Sequence, residues 1–275
     1  MTAAGDSTKV VRLTGLGTLL YVPVLYGLGW LSSRPLALVF PDWRPDQVDL
    51  AGLAMSLLLL LASLPWRLRR AWGSSAPWRT LGVAVGAAAA VKAFVRGLLK
   101  AALLLAGVCV VLLVSGQARW LGQLDGGAWL NALALLLGVG FAEELLFRGW
   151  LWGELERLVG TGPAIGLQAA VFALVHPWYR LPALEAIALL GGLVLLGWAL
   201  ALQRRADGGA LWGAVALHGG LVGGWFALQL GLLEISPQAP AWLIGGTTAN
   251  ANPIGGLLGW LGLGLLVLAR RRWWR

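Results

Sequence analysis

Apolar residues run along this chain in long blocks, and the breaks between them are short and rich in Gly, Pro or Arg. About 20 apolar residues suffice for an α-helix to cross the hydrocarbon core of a bilayer. Read on that basis, Leu13–Leu31 is a first span, retained because no small-residue cleavage site follows it. Leu50–Leu64 is a second, stopped by Pro65 and the cluster Arg67, Arg69 and Arg70. In Leu81–Lys100 the cations Lys92, Arg96 and Lys100 recur every four residues on one face. That pattern fits an amphipathic interfacial helix, or else the first turns of a long third span that runs clearly from Gly97 to Ser115. The fourth block, Trp129–Trp152, continues to about Val159 and ends at the turn Gly160-Thr161-Gly162-Pro163. Ala164–His176 is short for a crossing and is closed by Pro177. Ala183–Leu202, Ala210–Leu233 and Ile254–Ala269 complete the count, with a cation-free loop from Glu234 to Pro253. The fold class predicted is all-α: a polytopic membrane helical bundle of about eight transmembrane helices, with no fixed-period repeat and no separate soluble domain.

Composition agrees. Hydrophobic residues make up 59% and charged residues 12% of the 275, and the mean hydropathy is +0.77. A soluble domain is about half apolar and a quarter charged. The net charge of +9 points to topology signals and anionic lipid, since the cations sit between apolar blocks and form no nucleic-acid-binding face. With both termini cytoplasmic, every one of the 21 cations except Arg34, Arg44, Arg119 and Arg180 falls on the inner side. Many of the 17 tryptophans (Trp30, Trp66, Trp120, Trp129, Trp150, Trp152, Trp273, Trp274) lie near predicted span ends, where an aromatic belt belongs. The single cysteine, Cys109, excludes an intrachain disulfide and a cysteine-based zinc site. Organisation follows the spans: N-terminal helices with an amphipathic segment over 1–128, a central helical core over 129–233, and an external loop with a last helix over 234–275.

One polar stretch interrupts the fourth block, Phe141-Ala142-Glu143-Glu144-Leu145-Leu146-Phe147-Arg148. A charge near the bilayer centre costs about 3 kcal/mol on insertion scales, so such residues face a protein interior or a wet cavity, with a partner. Glu144 and Arg148 are four apart and can pair on one helix face. Glu143 is turned about 100° away from Glu144 and has no cation at helical spacing within the stretch. The chain has two histidines, His176 and His218. Glu143 and His176 each lie about 25 Å from the Gly160–Gly162 tip of a helical hairpin at 1.5 Å per residue, hence at one level. His218 stands roughly 15 Å up the seventh span from Gly208. A carboxylate with two imidazoles in a dry site can take a proton from water, hand it to a leaving amine and stabilise an oxyanion. The same polar groups can also serve only to lock helices together.

These residues resemble the CAAX protease and bacteriocin-processing (CPBP, or Abi) family of intramembrane endopeptidases. Its E-E-x-x-x-R motif is matched by Glu143-Glu144-Leu145-Leu146-Phe147-Arg148. Its F-x-x-x-H motif is matched by Phe172-Ala173-Leu174-Val175-His176. The glycine-rich turn and Leu-Trp pair before its third-motif histidine resemble Gly208-Gly209-Ala210-Leu211-Trp212 leading to His218. The resemblance covers Trp129–Gly224 and rests on the set occurring in order on membrane spans. It implies Glu143 as the catalytic base, His176 as its partner and His218 in the oxyanion pocket, supported by Glu144, Arg148 and Phe172. It implies peptide-bond hydrolysis of a peptide or protein substrate, with membrane-anchored and prenylated C-termini among the options, and no cofactor. The family's third motif often carries asparagine four residues after the histidine, and here that residue is Val222.

Other readings differ in class. Glu143, His176 and His218 form a zinc-compatible ligand set, but no H-E-x-x-H motif is present. No G-x-S-x-G exists for a serine hydrolase. A non-catalytic scaffold or immunity protein would keep the fold without turnover, and Val222 favours it. A transporter would want an inverted repeat and more polar residues along other spans.

Overall fold

The computed structural model describes residues 13–269. The polar tail Met1–Arg12, the C-terminal arginines and Trp273 and Trp274 lie outside them. The chain divides into two compact units, at Thr80.

The first unit is a helical hairpin of α1 (Gly15–Ser33) and α2 (Pro45–Trp72). Tyr21 Oη pairs with Ser63 Oγ at 2.7 Å, and Arg34 bridges Asp49 at 2.6 Å near the connecting loop. Pro65 does not stop α2: the helix runs through it to Trp72 and ends where Gly73 adopts φ +64°. A proline costs one backbone bond, which membrane helices tolerate, whereas the left-handed residue after Trp72 ends the turn geometry outright.

The second unit contains α3 (Ala87–Val114), α4 (Gly126–Val159), α5 (Thr161–Leu174), α6 (Ala183–Ala206), α7 (Trp212–Leu232) and α8 (Leu257–Ala269). Of the eight apolar helices, α1, α2, α3, α4, α6 and α7 are long and apolar enough to span. The 14-residue α5 and 13-residue α8 are shorter than a crossing needs. The chain is an all-α, multi-pass integral membrane protein, with six rather than eight helices of spanning length among the described residues. Leu81–Lys100 is not an interfacial helix. It is a non-helical lead followed by the first turns of α3; Lys92 is exposed, while Arg96 pairs with Asp207 and Lys100 with Gln203.

The helix α7 is the axis of this unit. Its paired glycines serve two neighbours, since consecutive residues point about 100° apart. Gly219 and Gly223 lie against the backbone of Leu136 and Ala132 in α4, while Gly220 and Gly224 lie against Ala101 and Leu105 of α3. A Cβ at Gly219 or Gly223 would collide with a neighbouring carbonyl, so backbone contact here requires glycine. The close packing is within the chain. Outward-facing apolar residues such as Leu103, Val114 and Leu184 remain exposed, as lipid contact requires.

Trp150 and Trp152 are not belt residues: both are buried, and Trp150 Nε1–H donates to Glu154 at 3.0 Å. Trp30, Trp66, Trp120 and Trp129 are exposed. Two strands too short for periodicity to register, β1 (Ala118–Trp120) and β2 (Leu233–Ile235), pair antiparallel and join the ends of α3 and α7. Cys109 is half-buried and packs against a cluster of apolar residues there.

Candidate active site

The acidic stretch lies in a part of α4 that is not regular α-helix. Gly140–Glu144 is one α-helical turn between two π-helical segments, Leu135–Val139 and Leu145–Leu151. Such wide turns are rare and occur often at functional sites. Gly140 lets this turn meet the backbone of Val215 and Gly219 in α7, which brings the acids against His218.

Glu144 and Arg148 are fully buried and pair at 2.8 Å. The same Glu144 oxygen, Oε1, accepts from His218 Nδ1 at 2.8 Å. Sequence reasoning supplied the first contact and missed the second, because it depends on how α7 is rotated. The Arg148 guanidinium also stacks on the Phe172 ring at 4.1 Å, and that ring meets His176 at 4.7 Å and His218 at 5.6 Å edge-on. Phe172 therefore separates the Arg148 charge from the imidazoles and sets the pitch of both rings.

His176 follows the end of α5, and Pro177 comes directly after it. Its Nδ1 lies 2.6 Å from the Phe172 carbonyl. A carbonyl only accepts, so Nδ1 carries the hydrogen and Nε2 is left for the site. The Glu144 carboxylate fixes His218 Nδ1–H in the same way. Both Nε2 atoms lie 3.9 Å from Glu143 Oε2. That oxygen is buried and has no hydrogen-bond partner among the described residues. The structure thus brings together Glu143, His176 and His218, with Glu144, Arg148 and Phe172 behind them.

The two histidines open onto a cavity of about 490 Å³, a size typical of ligand clefts. Val222 lies on its wall, four residues along α7 from His218. No group of three His, Cys, Asp or Glu side chains among the described residues is arranged to hold a metal ion.

Residues 125–223 match the family model of the type II CAAX prenyl endopeptidases, Rce1-like. That stretch is similar to an Rce1-like CAAX prenyl endopeptidase domain. This domain is about a third of the chain and holds all six residues of the site. The match agrees with the resemblance read from the motifs and supports an intramembrane peptidase. Residues 3–76 match a model described only as a domain of unknown function, DUF8676. Comparison with curated proteins and comparison with solved structures each give no match.

Two further features bear on the site without showing that role in the sequence. Arg204 of α6 reaches the carbonyl of Arg148 and, at 3.1 Å, that of Gly209. It thereby ties the acid-bearing helix to the turn that starts α7. The far wall of the cavity comes from the segment Asn250–Ile254 and from α8. Arg204 reads from sequence as a topology signal, Asn250–Pro253 as part of an external loop, and Ile254–Ala269 as a last span.

Proposed function

We propose that the protein is an intramembrane endopeptidase that hydrolyses a peptide bond with a water activated by Glu143. The convergence of Glu143 Oε2 with the Nε2 atoms of His176 and His218 beside a cavity carries this reading. Water between them gives one proton to Glu143, and its second hydrogen is accepted by His176 Nε2. The water oxygen adds to the substrate carbonyl carbon and leaves a tetrahedral oxyanion. His218, held by Glu144 through Nδ1, serves that oxyanion through Nε2 when the atom carries a proton. Collapse breaks the C–N bond, Glu143 returns its proton to the leaving amine, and the products are a carboxylic acid and an amine.

Glu144 and Arg148 position the site and do not touch the substrate. The cation asymmetry supports a cytoplasmic location for both termini, with the site reached from that side. A peptide or protein in or on the bilayer is the substrate class, and the reaction draws on no cofactor. The test is to profile peptides from membranes containing wild-type protein or Glu143→Gln at equal folded yield. Products should vanish with the amide. Identical profiles would favour the scaffold reading that Val222 suggests.

A further inference from the structure

One buried amide takes no part in the steps described above. Gln168 of α5 is fully buried, while the other buried residues of that helix, Ala164, Ile165, Ala169, Phe172 and Ala173, are apolar. It does not line the cavity beside the histidines. An amide withdrawn from water is costly unless it is hydrogen-bonded, so its partners are informative. Gln168 Nε2 donates to two carbonyls, that of Ile165 in its own helix and that of Gly197 in α6, each at 3.1 Å. Carbonyls only accept, which fixes the orientation of the amide and uses both of its hydrogens. Gln168 therefore bolts α5 to α6.

The bolt lands where the cation of the site rests. A Cβ on Gly197 would stand 2.9 Å from the Ala169 Cα and 3.3 Å from Arg148 Nη2. Glycine thus lets α5, α6 and the guanidinium meet at one point. Arg148 gives Nη1 to Glu144, and its Nε and Nη2 have no hydrogen-bond partner among the described residues. Packing against Gly197 and the Phe172 ring locates that side of it. Along α5, Gln168 and Phe172 are four residues apart on one face, which continues to His176 just past the helix end. The Phe172 ring lies under Arg148, and the Phe172 carbonyl holds His176 Nδ1. A change in the rotation or level of α5 moves both.

We propose that Gln168 is a positioning residue for the hydrolysis. By bolting α5 to Gly197 it sets where Phe172 meets Arg148 and how far His176 Nε2 stands from Glu143. It touches neither the substrate nor the attacking water. Its Oε1 is buried with no partner among the described residues. An apolar side chain of the same length would fill the space without an unmet oxygen, so stability alone does not call for the amide. This rests on the peptidase reading and adds a residue to the machinery of that same site.

The experiment uses full-length Gln168→Met protein in lipid nanodiscs, with Gly197→Ala as an independent lesion of the same junction. Both accepting carbonyls lie inside helices and keep their ladder bonds, so Gln168→Met should unfold close to the wild-type midpoint. The turnover probe is a dye-labelled peptide ending in farnesylated Cys-Val-Ile-Ser, of the class named for the matched family. Each variant should lower kcat about tenfold to a hundredfold with KM little changed. The double variant should lose less than the product of the two single losses. The chain has two histidines, so ¹⁵N-histidine labelling resolves both rings without any turnover. The His176 Nε2 signal should shift in both variants. Unchanged kcat per folded molecule, a fall in kcat matched by an equal rise in KM, or an unmoved His176 signal overturns the proposal. Gln168→Met that fails to fold beside a fully active Gly197→Ala would make the amide purely structural and overturn it as well. Wild-type protein with no Glu143-dependent cleavage, of this peptide or in the membrane profile, would sink the peptidase reading instead. The His176 signal would then decide by itself whether Gln168 sets the histidine.

Discussion

The buried pair Glu144–Arg148 offers the sharpest test of how the site is held. Both side chains are wholly inaccessible and meet at 2.8 Å. Replacing Arg148 with Met leaves the Glu144 charge buried with only His218 beside it. Removing one partner of a buried pair costs about 3–5 kcal/mol, mostly from the stranded charge. Glu144→Leu strands Arg148 and should cost a similar amount, and it also leaves His218 Nδ1 without its acceptor. The double variant strands neither charge. Loss of the Arg148–Phe172 stacking occurs in the Arg148 single variant and in the double alike. Loss of the His218 acceptor is likewise common to the Glu144 single variant and the double. Both terms therefore cancel in a double-mutant cycle. Equilibrium unfolding in micelles, followed by tryptophan fluorescence, should find the double variant no less stable than the less stable single one. Additive losses, roughly 6–10 kcal/mol in all, would refute the claim that the two residues act as a pair. Activity should be absent in all three.

Arg204→Leu should lower kcat by about tenfold to a hundredfold with KM little changed, since it loosens the spacing of α4 and the start of α7 without touching the cavity. Arg204→Lys should restore part of the loss, and an equal rise in KM would argue against a positioning role. Gly223→Leu drives a side chain into the Ala132 carbonyl and should destabilise by at least about 1–3 kcal/mol in the same unfolding assay. In the exposed β1–β2 ribbon, Arg119 hydrogen-bonds Glu234 and holds its carboxyl below the usual range, while the same contact raises the Arg119 pKa. A lowered carboxyl contributes above its unfolded value, about 4.3, and loses that contribution as pH falls through the lower folded value. The protection of the ribbon's amides, exchange corrected for its intrinsic pH dependence, should therefore fall as pH drops below about 4. The change should be small, weakened by salt and abolished in Glu234→Gln.

Levels along helices were legible in the sequence, and rotations about helix axes were not. Counting residues from the Gly160 turn put Glu143 opposite His176, where the structure has them at 3.9 Å. Counting could not tell which acid His218 would bond, because the π-helical segments around Gly140–Glu144 alter how side chains project. The cation stripe of Lys92, Arg96 and Lys100 has the periodicity of an interfacial helix. Its outcome depends on Asp207 and Gln203, more than a hundred residues later. Trp150 and Trp152 sit at a predicted span end yet are buried, and Trp150 is held by a hydrogen bond to the buried Glu154 one turn on, a partner that periodicity does not reveal. Asn250 and Asn252 lie in a stretch without periodicity, and the peptide between them is held by two side chains of α7, Trp225 and Gln229, that share the Ala251 carbonyl.

The central claim is that Glu143 activates water instead of attacking the substrate itself. A single-turnover cleavage in ¹⁸O-labelled water, using a product series that disappears in Glu143→Gln, tests it most directly. The account predicts one ¹⁸O in the new C-terminal carboxylate and none in the protein peptide that contains Glu143. Label in the Glu143 side chain with an unlabelled product would indicate a covalent acyl-enzyme, and label in neither would mean that the bond is not broken by hydrolysis; either result would contradict direct attack by a Glu143-activated water.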